Sequence, residues 1–256
     1  MNHLIIWKEL SLFTGSNNTS ISSHKHPMIQ LIVSINDSFL WRGASGNWIK
    51  RKAILVAPNH QHECNASGQE ILIIGIDPES IFGQFVYNQY LLSEPLIDLP
   101  PSNLEKLDIN NITRYINDSN WEQLYDCIKS LFKFKLGNHS FKNRDQRITK
   151  VLDFIINNID TKITTEILMN VSYLSESRLL HLFKQEIGLP IRNYILWHRL
   201  QLAFKELSKG HSLTEVAYLT GFSDQSHLTR TFVKTIGATP SSLLKNSKFI
   251  QVSFPL

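Results

Sequence analysis

Four side chains in the first quarter of the chain carry chemistry that backbone structure alone would not require. His24 and His26 are separated by one residue, Gln30 follows four residues after His26, and His62 stands in the run Pro58-Asn-His60-Gln-His62-Glu63. Neutral imidazoles bind transition metals. They serve equally as the polar lining of a small-molecule pocket or as ordinary residues at a strand edge, and residue type leaves those readings open. No nucleophile stands beside a base anywhere in the chain, and no glycine-rich loop is present to cradle a phosphate. No catalytic residue is therefore expected.

The elements that must position these side chains read as strands. Residues 29–35, 38–42, 48–52, 53–57 and 70–77 are short and rich in Ile, Val, Leu and aromatics, with Gly, Asn, Pro and Asp between them. So many short strands in so small a span predict a sandwich or a small barrel. Helical periodicity follows over 81–92 and 104–134, the second with a break near residues 117–120. Its apolar stripe (Leu107, Ile112, Tyr115, Ile116, Leu124, Ile128, Leu131, Phe132) fits packing on the strands or a homodimer surface. Residues 137–144 are polar and read as a linker.

From Gln146 onward everything reads helical, and one pattern occurs twice. Ser175, Leu179, Phe183 and Gly188 recur 49 residues later as Asp224, Leu228, Phe232 and Gly237, with Pro190 and Pro240 after them. In each copy a small polar residue stands where a helix N-cap is wanted. Leu and Phe follow on one helix face, Gly ends the helix, and Pro opens the next segment. A shorter helix precedes each copy, over 165–171 and 214–219, and Gly221 supplies a tight turn. Short helix, turn and capped amphipathic helix make a helix-turn-helix. The segment 190–207 has no further Pro or Gly and predicts one long helix joining the two units.

The recognition helices fall at about 176–185 and 225–235. Leu179, Leu182, Phe183, Leu228 and Phe232 face inward. Ser177, Arg178, Leu180, His181 and Lys184 face outward on the first, and Gln225, Ser226, His227, Thr229 and Arg230 on the second. Arg reads guanine and Gln reads adenine through paired hydrogen bonds, while Lys mostly finds phosphate. Arg199, in the long helix, reads as an internal ion-pair partner.

The run LTEVAYLTGFSDQSHLTRTF (213–232), followed by Gly237 and Pro240, resembles the second DNA-binding unit of the AraC/XylS regulators. LSESRLLHLF (174–183) with Gly188 is similar to the family's first unit, and Trp197 to Ala203 resembles its linker helix. Met169 stands where the family usually has Ala, and Tyr173 where Gly is common. The resemblance implies base contacts at Ser177, Leu180, His181, Gln225, Ser226, Thr229 and Arg230. It implies double-stranded DNA as partner, leaves RNA polymerase and a second copy of the chain open as others, and makes a small-molecule effector the expected regulator. His24, His26 and His62 on an all-β domain resemble the cupin arrangement, and Gln30 takes the place where enzymatic cupins carry a Glu metal ligand. No cofactor and no resident metal are expected, His24, His26 and His62 being the ligands were a metal bound.

Charge supports this division. Residues 1–144 hold 13 Lys+Arg and 13 Asp+Glu, a net of zero, whereas 145–256 hold 13 and 9, a net of +4. The basic excess thus sits in the part expected to meet a polyphosphate. Two cysteines without motif spacing make neither a disulfide framework nor a zinc finger. No leader or membrane span is evident, and a cytoplasmic protein is expected. The expected organisation is α+β in two domains. A cupin-like β-barrel with packing helices, for sensing or dimerisation, occupies 1–136 and a linker 137–146. An all-α double helix-turn-helix occupies 147–247, and a tail 248–256. A ligand-responsive transcription regulator is the leading reading. A cupin-type metalloenzyme with a helical appendage and a ligand-independent regulator are the alternatives.

Overall fold

The computed structural model describes residues 2–17, 20–44, 46–105, 107–135, 144–241 and 250–253. Residues 137–143 of the expected linker lie outside these. The chain divides into two compact units, Met1–Phe141 with Leu244–Leu256, and Lys142–Leu243.

The first unit is built on eleven strands: β1 (Asn2–Ile6), β2 (Leu10–Asn17), β3 (Ser20–His24), β4 (Ile29–Ser34), β5 (Phe39–Gly43), β6 (Ile49–Arg51), β7 (Ala53–Val56), β8 (His62–Asn65), β9 (Gln69–Ile76), β10 (Leu96–Asp98) and β11 (Ile250–Ser253). They form two sheets. One has seven strands in the order β10-β7-β4-β9-β2-β1-β11, and the other four in the order β3-β8-β5-β6. The expected barrel is not closed, because no ladder among the described residues joins the sheets. Their ends look like sheet edges: β6 is three residues long and carries Lys50 and Arg51, and β10 sits between Pro95 and Pro100. Short, charged or proline-flanked strands discourage further pairing.

The central strands carry apolar runs, Leu31–Val33, Ala53–Val56 and Ile71–Ile74, because both faces of the large sheet are covered there. Along β4, Leu31 and Val33 point to one side and Ile32 to the other. Along β7, Ala53 and Leu55 oppose Ile54 and Val56, and along β9, Leu72 and Ile74 oppose Ile71. The first set packs with helical residues Phe82, Val86, Ile112, Ile116, Leu124, Ile128 and Phe132. The second packs with Phe39, Trp41 and Cys64 of the small sheet. Helices α1 (Ile81–Val86, running on in a wider π turn), α2 (Pro101–Leu104), α3 (Ile109–Asn117) and α4 (Trp121–Leu131) cover that first face. The break between α3 and α4 is made by Ser119, at φ 53°, and by Asn120, which caps α4. The apolar stripe of α3 and α4 is thereby spent inside the unit.

The second unit is all helix: α5 (Gln146–Asn157), α6 (Thr165–Ser172), α7 (Glu176–Ile187), α8 (Ile191–Ser208), α9 (Leu213–Leu219) and α10 (Gln225–Ile236). No helix among the described residues is long and apolar enough to cross a membrane.

Candidate nucleic-acid interface

Each helix-turn-helix is held by its own capping. Thr164 accepts from the Ile167 amide to start α6, and Asp224 accepts from the His227 amide at 2.7 Å to start α10. Ser212 and Glu215 form a reciprocal capping box at α9, which satisfies two amides that would otherwise lack partners. Gly188 and Gly237 end α7 and α10 at φ 75° and 78°, the left-handed conformation that a Cβ penalises.

The turns differ. Gly221 takes φ 72° in the second, whereas in the first Tyr173 takes φ 56°. Only one residue separates Tyr173 from the α7 cap Ser175, against two between Gly221 and Asp224, so the first turn is shorter. Tyr173 is 88% exposed and contributes little packing, while a side chain in this conformation costs roughly 1–2 kcal/mol. Tyr173→Gly should therefore stabilise the protein by about 0.5–1 kcal/mol, after the entropy glycine restores to the unfolded chain. The urea midpoint reads this, and a lower midpoint would show that the tyrosine ring is held by contacts. Met169 is absorbed half-buried at the edge of the core of the first helix-turn-helix, with Leu179, Leu182, Phe183 and Ile148.

Helix α8 serves both helix-turn-helices. Near its start Tyr194 meets Phe183 of α7 edge-on at 5.6 Å, and near its end Phe204 lies 4.9 Å from Phe232 of α10. Between them Arg199 donates to the carbonyls of Ile159 (3.0 Å) and Thr161 (2.6 Å) in the α5–α6 loop. A Cβ on Gly221 would stand 2.9 Å from the same guanidinium. Glycine at this turn is thus favoured by φ and by the room that the bonded guanidinium occupies. Where an internal ion pair is expected of Arg199, its hydrogen bonds are to carbonyls, with Asp160 adding attraction. Nothing in the sequence pairs residue 199 with residue 221, since only the fold brings them together. Burial pushes the α8 imidazole of His198 down to about 4, so it stays neutral at ordinary pH.

The inward residues Leu179, Leu182, Phe183, Leu228 and Phe232 are all buried. Ser177, Arg178, Leu180, His181 and Lys184 are all exposed on α7. On α10, Gln225, Ser226 and Arg230 are exposed, and His227 and Thr229 are half-buried. Thr214 of α9 donates to Gln225 Oε1 at 3.1 Å. That uses one lone pair and leaves the second and the amide hydrogens for a base edge. His227 is turned toward the second turn, with Nδ1 3.2 Å from Ser223 Oγ and its ring edge-on to Phe222. Tyr218, 84% exposed on α9, was not singled out by sequence pattern.

In the first unit His24, His26 and His62 come together, with ring centroids 4.3 to 5.6 Å apart. His24 ends β3 and is paired with His62 at the start of β8, while His26 lies just beyond the strand. All three are buried. Burial, with the neighbouring rings adding to it, lowers His26 to about 4 and His62 to about 2. Burial lowers His24 as well. Gln30, on β4, lies beside His26.

Ser175, the expected cap of α7, makes no side-chain capping bond, so of α7 and α10 only α10 is capped at its start. Two outward-facing helices, each ended by a left-handed glycine and joined by a common strut, make a double helix-turn-helix. Residues 168–246 match the family model described as "Helix-turn-helix domain". The chain is 25% identical over 231 residues to the probable transcriptional regulator LumQ of Photobacterium leiognathi, covering 85% of this chain and 90% of that one. It is 27% identical over 104 residues to the transcriptional regulatory protein HptR of Staphylococcus aureus, 41% of each chain. Its fold is similar to that of an apo ToxT variant from Vibrio cholerae, with a TM-score of 0.59 at 11% identity over 92% of this chain and 96% of that one. The chain carries a helix-turn-helix DNA-binding domain and is similar to known transcriptional regulators.

Proposed function

We propose that α7 and α10 read the operator through Ser177, Leu180, His181, Gln225, Ser226, Thr229 and Arg230, with Arg178, Lys184 and His227 on the flanking backbone. The observation that carries this is the division of both helices, the candidate readers outside and half-buried at most, the Leu and Phe positions inside. DNA recognition belongs to residues 147–247 and effector sensing to the sheet unit in 1–136, in a cytoplasmic protein that catalyses no reaction.

A small molecule bound around His24, His26, Gln30 and His62 would regulate DNA binding by favouring one of two states. Structures of ToxT carry an unsaturated fatty acid or a naphthyl butenoic acid, and the shared fold supports a sensor role here. The cupin likeness of the sheet unit is part of the same reading: a His pair and a later His gathered at one end of stacked sheets.

The test is a gel-shift titration at fixed salt on an operator selected from random DNA. Arg230→Ala should weaken binding by about 1–3 kcal/mol and relax preference at one base position. Equal affinity for wild type and variant would remove Arg230 from the readers. Failure of the wild type to select any sequence would remove the reading as a whole.

A further inference from the structure

The three histidines of the sheet unit share one feature beyond their proximity. Each Nδ1 lies on a backbone carbonyl: His24 on Ser22 at 2.8 Å, His26 on Met28 at 3.1 Å, and His62 on His60 at 2.8 Å. A carbonyl only accepts, so each Nδ1 carries the hydrogen and each Nε2 the lone pair. One ring nitrogen from each histidine lies within 4.8 Å of the others. Nε2 of His26 and of His62 is buried without a hydrogen-bond partner among the described residues, and so is Oε1 of Gln30. The Asn59 amide, donating to the His26 carbonyl at 2.7 Å, ties this segment to the loop before β8.

Leaving a buried acceptor unpaired costs the desolvation of that atom with nothing gained in return. Turning the Gln30 amide would offer an N–H to His26 alone and leave His62 Nε2 unpaired. A cation accepts from all three imidazoles at once. Backbone carbonyls fixing the outer nitrogen are also what orients imidazoles toward a metal. Zn–N bonds of about 2.0–2.1 Å would need the rings to close by roughly an ångström, a small side-chain rotation. The carboxylate next in sequence, Glu63, is held by Arg42 at 2.7 Å. An ion bound only by neutral donors keeps its charge and attracts an anion.

We infer that His24, His26 and His62 bind one divalent transition-metal ion through Nε2, with Gln30 at its edge and a coordination position open to an anionic small molecule. This rests on the sheet unit being the effector-binding part and names the chemistry by which it would hold the effector.

The probe is Co2+, titrated into chelator-stripped full-length protein and followed by its visible d–d bands. The expected result is one saturable equivalent, displaced by Zn2+, with a rise in thermal midpoint. His62→Gln and His26→Gln should each weaken binding at least about tenfold, a loss of the size that changes around metal ligands produce. Gln30→Glu, which adds a charged oxygen, should tighten it and shift the bands, so the test survives if a histidine variant fails to fold. Absence of bands in the wild type, or bands unchanged across all three variants, overturns the site. A gel shift on the same samples separates the readings: DNA binding retained without cobalt binding removes the metal alone, and DNA binding lost removes the regulator reading.

Discussion

Phe232→Ala should cost the DNA-binding unit about 3–5 kcal/mol and weaken DNA binding at least about tenfold. Phe232 is fully buried, packs on Phe204 of α8, and shares its helix face with Leu228, also fully buried. The second helix-turn-helix is small: α9 has seven residues and α10 twelve. Few other apolar side chains can close over the space a phenyl ring leaves. Against a total stability of about 5–15 kcal/mol for a typical domain, such a loss lets α10 detach while the rest of the chain stays folded. Val233, the next residue, is 36% exposed, and Val233→Ala should change stability by no more than about 0.5 kcal/mol. Urea denaturation of the two variants reads the contrast. Similar midpoints would mean that the inward face of α10 has been misassigned.

Affinity for operator DNA should fall about 10³-fold between 50 and 200 mM salt, the loss expected when about six phosphates are neutralised. Arg178 and Lys184 on α7 and Lys234 on α10, all exposed, are among the basic residues that produce this. The amide ends of α7 and α10 add partial positive charge. The first unit contributes no net charge to the effect. A titration at five salt concentrations gives the slope. A flat line would show that these cations do not meet phosphate, whatever bases the helices read.

The double helix-turn-helix was legible because its signals are local. An N-cap, two apolar positions on one face, a terminal glycine and a proline lie within sixteen residues of each other, and the pattern occurs twice. The strands beside it were harder. β1, β2 and β3 mix apolar residues with polar ones such as Ser11, Thr14, Ser20 and Ser22, so their apolar content did not set them apart. Two open sheets rather than a barrel depend on which strands pair across long stretches of chain, and periodicity carries no pairing information. The meeting of His24, His26 and His62 was suggested by a family likeness. Their common tautomer depends on carbonyls whose positions follow from the β3–β8 register. The partnership of Arg199 and Gly221 lies in the packing of α8 against a turn twenty-two residues further along the chain.

That partnership bears on what the operator must look like. Arg199 holds the loop ahead of the first reading head while its guanidinium fills the space beneath the second head's turn. Inserting one base pair between the two half-sites would rotate one by about 35° about the duplex axis, given 10–10.5 base pairs per helical turn. Following that rotation would break both carbonyl bonds or drive the guanidinium into the Gly221 backbone. The spacer in the expected operator is therefore measured by its length: bases within it are free to vary, and their number is not.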